Sequence, residues 1–223
     1  MTYIALIVSV LVGILIVFGL KPSNKTAQLL LAFSGAYLLS ITILHLFPEV
    51  YASDVSNVGL FILIGLLFQL VLDFFSKGAE HGHIHIQKNS TFPWALFVSL
   101  SIHAFMEGIP LAHNHHHEYL LWAIVVHKIP IAIILGTFFV NSNIAKSKAI
   151  LFLILFSLMS PLGSLAGEHI QVIMTYKTEI TAIIIGIFLH ISTIILFETS
   201  KDHKFNLIKF IAILTGMFVA FLA

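Results

Sequence analysis

Long apolar stretches separated by short polar segments dominate the pattern of this chain. A helix needs about 20 apolar residues to cross about 30 Å of hydrocarbon, and turn-forming segments such as Lys-Pro-Ser-Asn at 21–24 divide the chain into windows of that length. The pattern therefore predicts an all-α integral membrane protein, a single polytopic domain over residues 1–223. Its eight predicted spans are 3–20, 27–49, 57–76, 93–112, 119–140, 149–167, 179–198 and 205–222.

The composition agrees with lipid as the solvent. Of the 223 residues, 59% are hydrophobic and only 9% are charged, which is far from an ordinary soluble domain. The chain has no cysteine, so thiolate sites are excluded and a transition metal must bind histidine, carboxylate, methionine or backbone oxygen. All eleven basic residues are scattered lysines, which argues against nucleic acid as a partner. The expected partners are the lipid bilayer and a metal ion.

The lysines between the spans predict the orientation. Alternate connections contain eight of them, whereas the opposite set contains only Lys177. Because cytoplasmic loops carry an excess of basic residues, both termini are expected to be extracytoplasmic, in a multi-pass protein of the cell (inner or plasma) membrane. Carboxylates on the external side would give arriving cations a mildly negative mouth, although each alone reads as a solvated loop charge: Glu49, Asp54, Glu118, Glu168 and Glu179.

Ionisable residues in the middle of spans four and five indicate a metal site. Such groups cost about 2.5–3.5 kcal/mol each on insertion scales, so they are rarely kept without a function. His103 and Glu107 are four residues apart, which places both on one helix face, and His127 on span five adds a third ligand. Imidazole and carboxylate suit zinc and similar ions. The alternative is two buried histidines bonded to carbonyls beside a protonated glutamate.

Other polar positions extend this hypothesis along the spans. His45 and Glu49 are again four residues apart, near the external end of span two, and predict either a metal station at the entrance or an interfacial polar pair. Pro110 and Pro130 each leave a backbone carbonyl without its helical donor beside the central cluster. Asp73, near the cytoplasmic end of span three, is a candidate for an exit path.

Two predicted loops are rich in histidine. Residues 80–85 read Glu-His-Gly-His-Ile-His on the cytoplasmic side, and residues 113–118 read His-Asn-His-His-His-Glu on the external side. Such tracts bind divalent metals with modest selectivity. Their position on either side of the intramembrane cluster strengthens the metal hypothesis.

In order, these motifs resemble the ZIP (Zrt/Irt-like) family of divalent metal transporters over nearly the whole chain. The resemblance implies eight spans in a 3+2+3 inverted-repeat bundle, a metal site between spans four and five, and often a homodimer. The matching segments are His-Leu-Phe-Pro-Glu at 45–49, the histidine-rich loop after span three, His-Ala-Phe-Met-Glu-Gly at 103–108, His-Lys-Ile-Pro at 127–130 and Ser-Pro-Leu-Gly at 160–163.

The chain departs from the family pattern at its central motifs. Ala104 stands where the family usually has Asn or a similar ligand, and Lys128, Ile131 and Ala132 stand where span five reads His-Glu-x-Pro-His-Glu or Gln-Asp-x-Pro-Glu-Gly. A two-metal site is therefore in doubt. The remaining site holds one ion on the three central ligands, completed by His45 or water.

Lys128 is the most unusual of these departures. Its ammonium has three donors and no lone pair, so it cannot ligate a metal while charged. It is expected to pair with Glu107 or Asp73, or to take the second metal's place electrostatically. The alternative is a side chain that points to lipid and snorkels towards an interface.

Together the residues predict transmembrane transport of a divalent transition metal into the cytoplasm. Zn²⁺ is the favoured transported substrate, with Fe²⁺, Mn²⁺ and Cd²⁺ sharing the same ligand chemistry. The alternative is an intramembrane zinc-dependent hydrolase, since three ligands and a water also describe catalytic zinc. Against it, the chain has no His-Glu-x-x-His motif. A haem carrier using histidines such as His190 is a further rival, in which Glu107 and Lys128 would have no use.

Overall fold

The computed structural model describes residues 1–20, 22–76, 78, 94–112, 118–141, 144–197 and 206–223. Regular structure within these ranges is entirely helical, as predicted. Seven helices are long and apolar enough to cross a membrane. They are α1 (Thr2–Leu20), α2 (Asn24–Tyr51), α3 (Val58–Ser76), α4 (Trp94–Gly108, continued by a 3-10 turn at Ile109–Leu111), α5 (Glu118–Asn141), α6 (Lys146–His169) and α7 (Lys177–Phe197).

The eighth predicted span corresponds to a shorter apolar helix, α8 (Leu207–Leu222). Its 16 residues extend about 24 Å at 1.5 Å per residue, less than the roughly 30 Å of hydrocarbon in a bilayer. The described ranges therefore confirm an all-α membrane protein, with seven helices long enough to span the bilayer, this shorter one and a five-residue helix at Gln171–Thr175. The count of eight spans stays a prediction.

The helices pack in a pattern that repeats. The most extensive contacts pair α3 with α7, α2 with α8, α1 with α5 and α4 with α6. Suppose that α1 is exchanged with α6, α2 with α7, α3 with α8 and α4 with α5. Each of these four contacting pairs then becomes another of the same four pairs. Helix α1 also contacts α6, and α2 contacts α7. This pattern agrees with two related sets of three helices around a central pair.

Helix α5 lies at the centre of the bundle. Of its span, 72% is buried inside the protein, compared with 28% for α1 and for α3. A helix that is surrounded by protein can carry polar side chains without exposing them to lipid. The position of α5 therefore permits the charged and imidazole groups that its sequence contains.

Helix α4 is held against α6 by direct backbone contact. A Cβ atom on Gly108 would overlap the backbone carbonyl of Ser160, and one on Gly163 would overlap that of Phe105. The Ser160 hydroxyl also donates to the Ala104 carbonyl. Because side-chain rotations cannot relieve a clash with backbone, glycine is required at both positions. These contacts fix the part of α4 that carries the predicted ligands.

Helix α2 contains a π-helical segment, Thr42–Leu46, in which the backbone N–H of Phe47 donates to the Thr42 carbonyl. Pro48 follows directly and has no N–H to continue the regular ladder. Such π segments occur often at functional sites, and this one contains His45. It rotates the end of α2 relative to a regular helix.

Candidate metal centre

Three of the predicted ligands converge at the centre of the bundle. His103 and Glu107 lie on α4 and His127 lies on α5, and one ligand atom from each falls within 4.8 Å of the others. Their exposed fractions are 3%, 1% and 1%, so the group is closed off from the surface. The described ranges contain no other group of three or more His, Asp or Glu residues with this proximity.

Glu107 is held from both sides. Its Oε1 lies 2.8 Å from His103 Nε2, one helical turn away. Its Oε2 accepts a hydrogen bond of 2.8 Å from the Lys128 ammonium. Since both carboxylate oxygens are engaged, the side chain has a fixed orientation. A cation that binds here must compete with the ammonium for the carboxylate.

Lys128 is buried inside the protein and does not face lipid. Its exposed fraction is 3%, and its Nζ lies 5.4 Å from the centre of the Phe156 ring, within the range of a cation–π contact. Of the alternatives that the sequence left open, the structure therefore shows the pair with Glu107, and the snorkelling alternative is wrong. The buried charges of the lysine and the glutamate compensate one another.

His127 has a partner on α2, Ser34, that the sequence did not connect with the site. Its Nδ1 lies 3.4 Å from the hydroxyl of Ser34 on α2, and Ser34 is fully buried. Several serines lie within apolar spans, and no sequence signal separates this one from the others. Only the packing of α2 against α5 identifies it as a neighbour of the site.

His45 and Glu49 lie outside the central cluster. The His45 ring stacks on Tyr119 at the start of α5, with 4.2 Å between ring centres and 21° between planes. Glu49 is exposed, and its negative charge lies close enough to the Tyr119 hydroxyl for an electrostatic interaction. The structure thus places these two residues beside the beginning of α5, and His45 is not among the three residues that converge.

A second polar contact, which is only partly buried, joins α3 to α7. Asp73 Oδ2 lies 3.9 Å from His190 Nε2, and the two side chains are 20% and 8% exposed. The sequence singled out Asp73 for an exit path but did not connect it with His190. The exit role of Asp73 stays a prediction. All the histidines of the two histidine-rich segments, including His81, His83 and His85, lie outside the described residues.

These features define a multi-pass membrane protein with a buried cluster of imidazole and carboxylate side chains. In membrane proteins, ionisable groups inside the spans commonly mark ion pathways. Residues 76–223 match the family described as ZIP Zinc transporter. The match covers more than half of the chain, and the chain belongs to this family.

Two curated relatives agree with the assignment. Protein zntD of Dictyostelium discoideum is 30% identical over 162 residues, which are 63% of this chain and 24% of that protein. Zinc transporter ZIP1 of Danio rerio is 30% identical over 149 residues, which are 61% of this chain and 49% of that protein. The matched region thus spans no more than half the length of either relative.

Proposed function

We propose that this chain transports divalent transition metals, with zinc as the main substrate, through the site formed by His103, Glu107 and His127 into the cytoplasm. The observation that carries the proposal is the convergence of these three buried side chains within 4.8 Å. Membership in the ZIP family supports a transport role and argues against the hydrolase alternative. The main-substrate assignment also draws on the name of the zebrafish relative, which is a zinc transporter.

The donor set fits a single zinc ion. Zinc binds imidazole nitrogen and carboxylate oxygen at about 2.0–2.2 Å, which puts tetrahedral ligand atoms about 3.4 Å apart. The three ligand atoms lie within 4.8 Å of each other. Side-chain movements that shorten these separations to about 3.4 Å would bring all three atoms onto one ion. A fourth position is left for water.

Lys128 limits the site to one ion. Its ammonium occupies the neighbourhood of Glu107 Oε2 at 2.8 Å, where a second divalent cation would otherwise share the carboxylate. Two unit charges about 4 Å apart interact by roughly 4 kcal/mol at an effective dielectric of 20, and a divalent ion would be repelled more strongly. The lysine therefore acts as a fixed cation in place of a second metal.

The polar residues at either side of the centre extend the proposed route. His45 and Glu49, beside Tyr119, provide imidazole and carboxylate near the predicted external mouth. Asp73 with His190 provides the same pair of ligand types between α3 and α7. Both pairs are more exposed than the central cluster, which is suited to transient contact with an ion that is entering or leaving.

Uptake of metal into proteoliposomes tests the proposal. Vesicles containing the purified chain should accumulate Zn²⁺ faster than protein-free vesicles, and parallel assays with Fe²⁺, Mn²⁺ and Cd²⁺ rank the substrates. Uptake should be lost in Glu107→Gln and retained in the matched control Glu179→Gln, which changes an acidic residue in the first turn of α7. Transport of another ion but not of Zn²⁺ would overturn the zinc assignment.

The Glu107→Gln variant leaves the buried Lys128 charge without its carboxylate, and breaking such a pair costs about 3–5 kcal/mol. The double variant Glu107→Gln with Lys128→Leu removes both charges and keeps the core neutral. It should insert and elute as the parent does, and yet transport no metal. Parental uptake by the double variant would exclude the central cluster from the mechanism.

A further inference from the structure

Ser34 reaches the central site from α2, a helix that carries none of the three converging ligands. Its hydroxyl lies 3.0 Å from the carbonyl oxygen of Leu31, one turn earlier on the same helix. The same oxygen lies 3.4 Å from Nδ1 of His127. Both Ser34 and His127 are almost completely buried, with exposed fractions of 0% and 1%, so bulk water does not compete for these contacts.

The two contacts of Ser34 differ in length. The carbonyl oxygen of Leu31 can only accept a hydrogen bond and lies 3.0 Å from Ser34 Oγ, closer than Nδ1 of His127 at 3.4 Å, so we assign the serine O–H to Leu31. The lone pairs of Ser34 Oγ are then left to face Nδ1 of His127. A neutral imidazole has one N–H and one lone pair. With the serine hydrogen on Leu31, a lone pair on Nδ1 would place two acceptors face to face in a buried site, which is unfavourable.

We propose that Ser34 is a positioning residue that holds His127 as the tautomer protonated on Nδ1. The lone pair is then on Nε2, the ring nitrogen that remains able to bind a metal. This inference rests on the proposed metal site for its functional consequence, but the tautomer itself belongs to the metal-free protein. Histidines that bind metals usually donate their other ring N–H to a neighbouring acceptor in this way.

The contact is longer than a typical N–H···O hydrogen bond, which measures about 2.9–3.0 Å. A metal on Nε2 withdraws electron density from the ring and makes the Nδ1 hydrogen a stronger donor. We therefore expect the contact to shorten when metal binds. At the central site, helix α2 thus takes part in ion binding through the Ser34 hydroxyl, although the three converging ligands come from α4 and α5.

A serine hydroxyl bonded to its own helix is common in membrane spans and does not by itself indicate a role. Ser9 on α1 provides the matched control. It is 2% exposed and donates to the Leu6 carbonyl, three residues earlier, at 2.7 Å. Ser9→Ala therefore removes the same local hydrogen bond from a buried position without removing a contact to His127.

Nitrogen NMR of histidine-labelled, metal-free protein reads the tautomer directly. The His127 signals are those that disappear in His127→Gln. In the parent and in Ser9→Ala they should show the proton on Nδ1. In Ser34→Ala they should shift towards the Nε2-protonated form, and Ser34→Thr, which restores a hydroxyl, should restore the parental pattern. A proton on Nε2 in the parent would overturn the proposal without any variant.

Zinc titration of purified protein measures the consequence. Loss of such a supporting contact weakens metal binding by about 10–100-fold, so Ser34→Ala should do this while Ser9→Ala and Ser34→Thr stay near the parent. Parental affinity in Ser34→Ala would contradict the inference. If the tautomer depends on Ser34 but zinc binding survives His103→Ala, then the proposed metal site fails and the tautomer assignment stands.

Discussion

Two pairs in this chain look alike in sequence and differ in structure: His103 with Glu107, and His45 with Glu49. Each has a histidine four residues before a glutamate, on an apolar span, with a proline close by. The first pair is buried and joined by His127 and Lys128. The second lies beside the start of α5, with an exposed glutamate.

The difference shows what brings a histidine–glutamate pattern together with side chains from a second helix. His103 and Glu107 lie one turn apart on a regular stretch of α4, and both converge with His127 of α5. His45 lies in a π segment, where the helical phase changes and a four-residue spacing no longer specifies the same face. The same spacing is therefore a strong signal only where the helix is regular and a second helix supplies further ligands.

The largest effect is expected when the histidine of each pair is replaced by alanine and zinc uptake by the two variants is compared. His103→Ala should abolish zinc uptake by proteoliposomes, since the central site has few ligands to spare. His45→Ala should leave the maximal rate near the parental value and raise the zinc concentration needed for half-maximal uptake. Both proteins should be checked for insertion and size. Equal losses in the two variants would remove the distinction between a central and a peripheral pair.

Lys128 sharpens the contrast because it places a cation on the carboxylate of the central pair. With the loop histidines removed, we expect the parent to bind one metal in its membrane region. Lys128→Glu should raise the ratio from one towards two, because it replaces an ammonium by a ligand next to Glu107. Elemental analysis of purified protein measures this. Lys128→Leu, which removes the charge without adding a ligand, should stay at one.

A parent that already holds two ions in the membrane region would contradict the fixed-cation role of Lys128. So would a Lys128→Glu variant with unchanged stoichiometry and unchanged transport.

The backbone contact beneath the central pair can be broken separately. Gly108→Ala places a Cβ against the Ser160 carbonyl, and overpacking of this kind typically costs about 1–3 kcal/mol. Thermal unfolding of the detergent-solubilised protein should therefore occur at a lower temperature. Gly19→Ala, on α1, meets no atom within 4 Å and should leave the unfolding temperature unchanged. Equal behaviour of the two variants would mean that α4 is not held by this contact.

The smallest effect is expected from the histidine-rich loop after span three. The triple replacement of His81, His83 and His85 by alanine should change apparent affinity or regulation and retain transport, because solvated histidines can only concentrate ions locally. Zinc uptake over a range of concentrations measures both quantities. Complete loss of uptake by a correctly inserted protein would show that the loop belongs to the transport path.

The sequence by itself determined the class of protein, the approximate positions of the spans and the three central residues. Hydropathy is a local property, since about 20 consecutive apolar residues require lipid wherever they occur. The spacing of His103 and Glu107 on one helix is local too. The cost of burying their polar groups among apolar residues marked them before any packing was known.

Only the tertiary structure decided which groups from different helices meet. It selected Glu107 over Asp73 as the partner of Lys128, placed His190 beside Asp73, and brought Ser34 to His127. These contacts join residues far apart in the chain, and they depend on which helices pack together and at what rotation. Apolar contacts are not directional, so the sequence alone does not specify which helices pack together. Close backbone approaches such as those at Gly108 and Gly163 specify it.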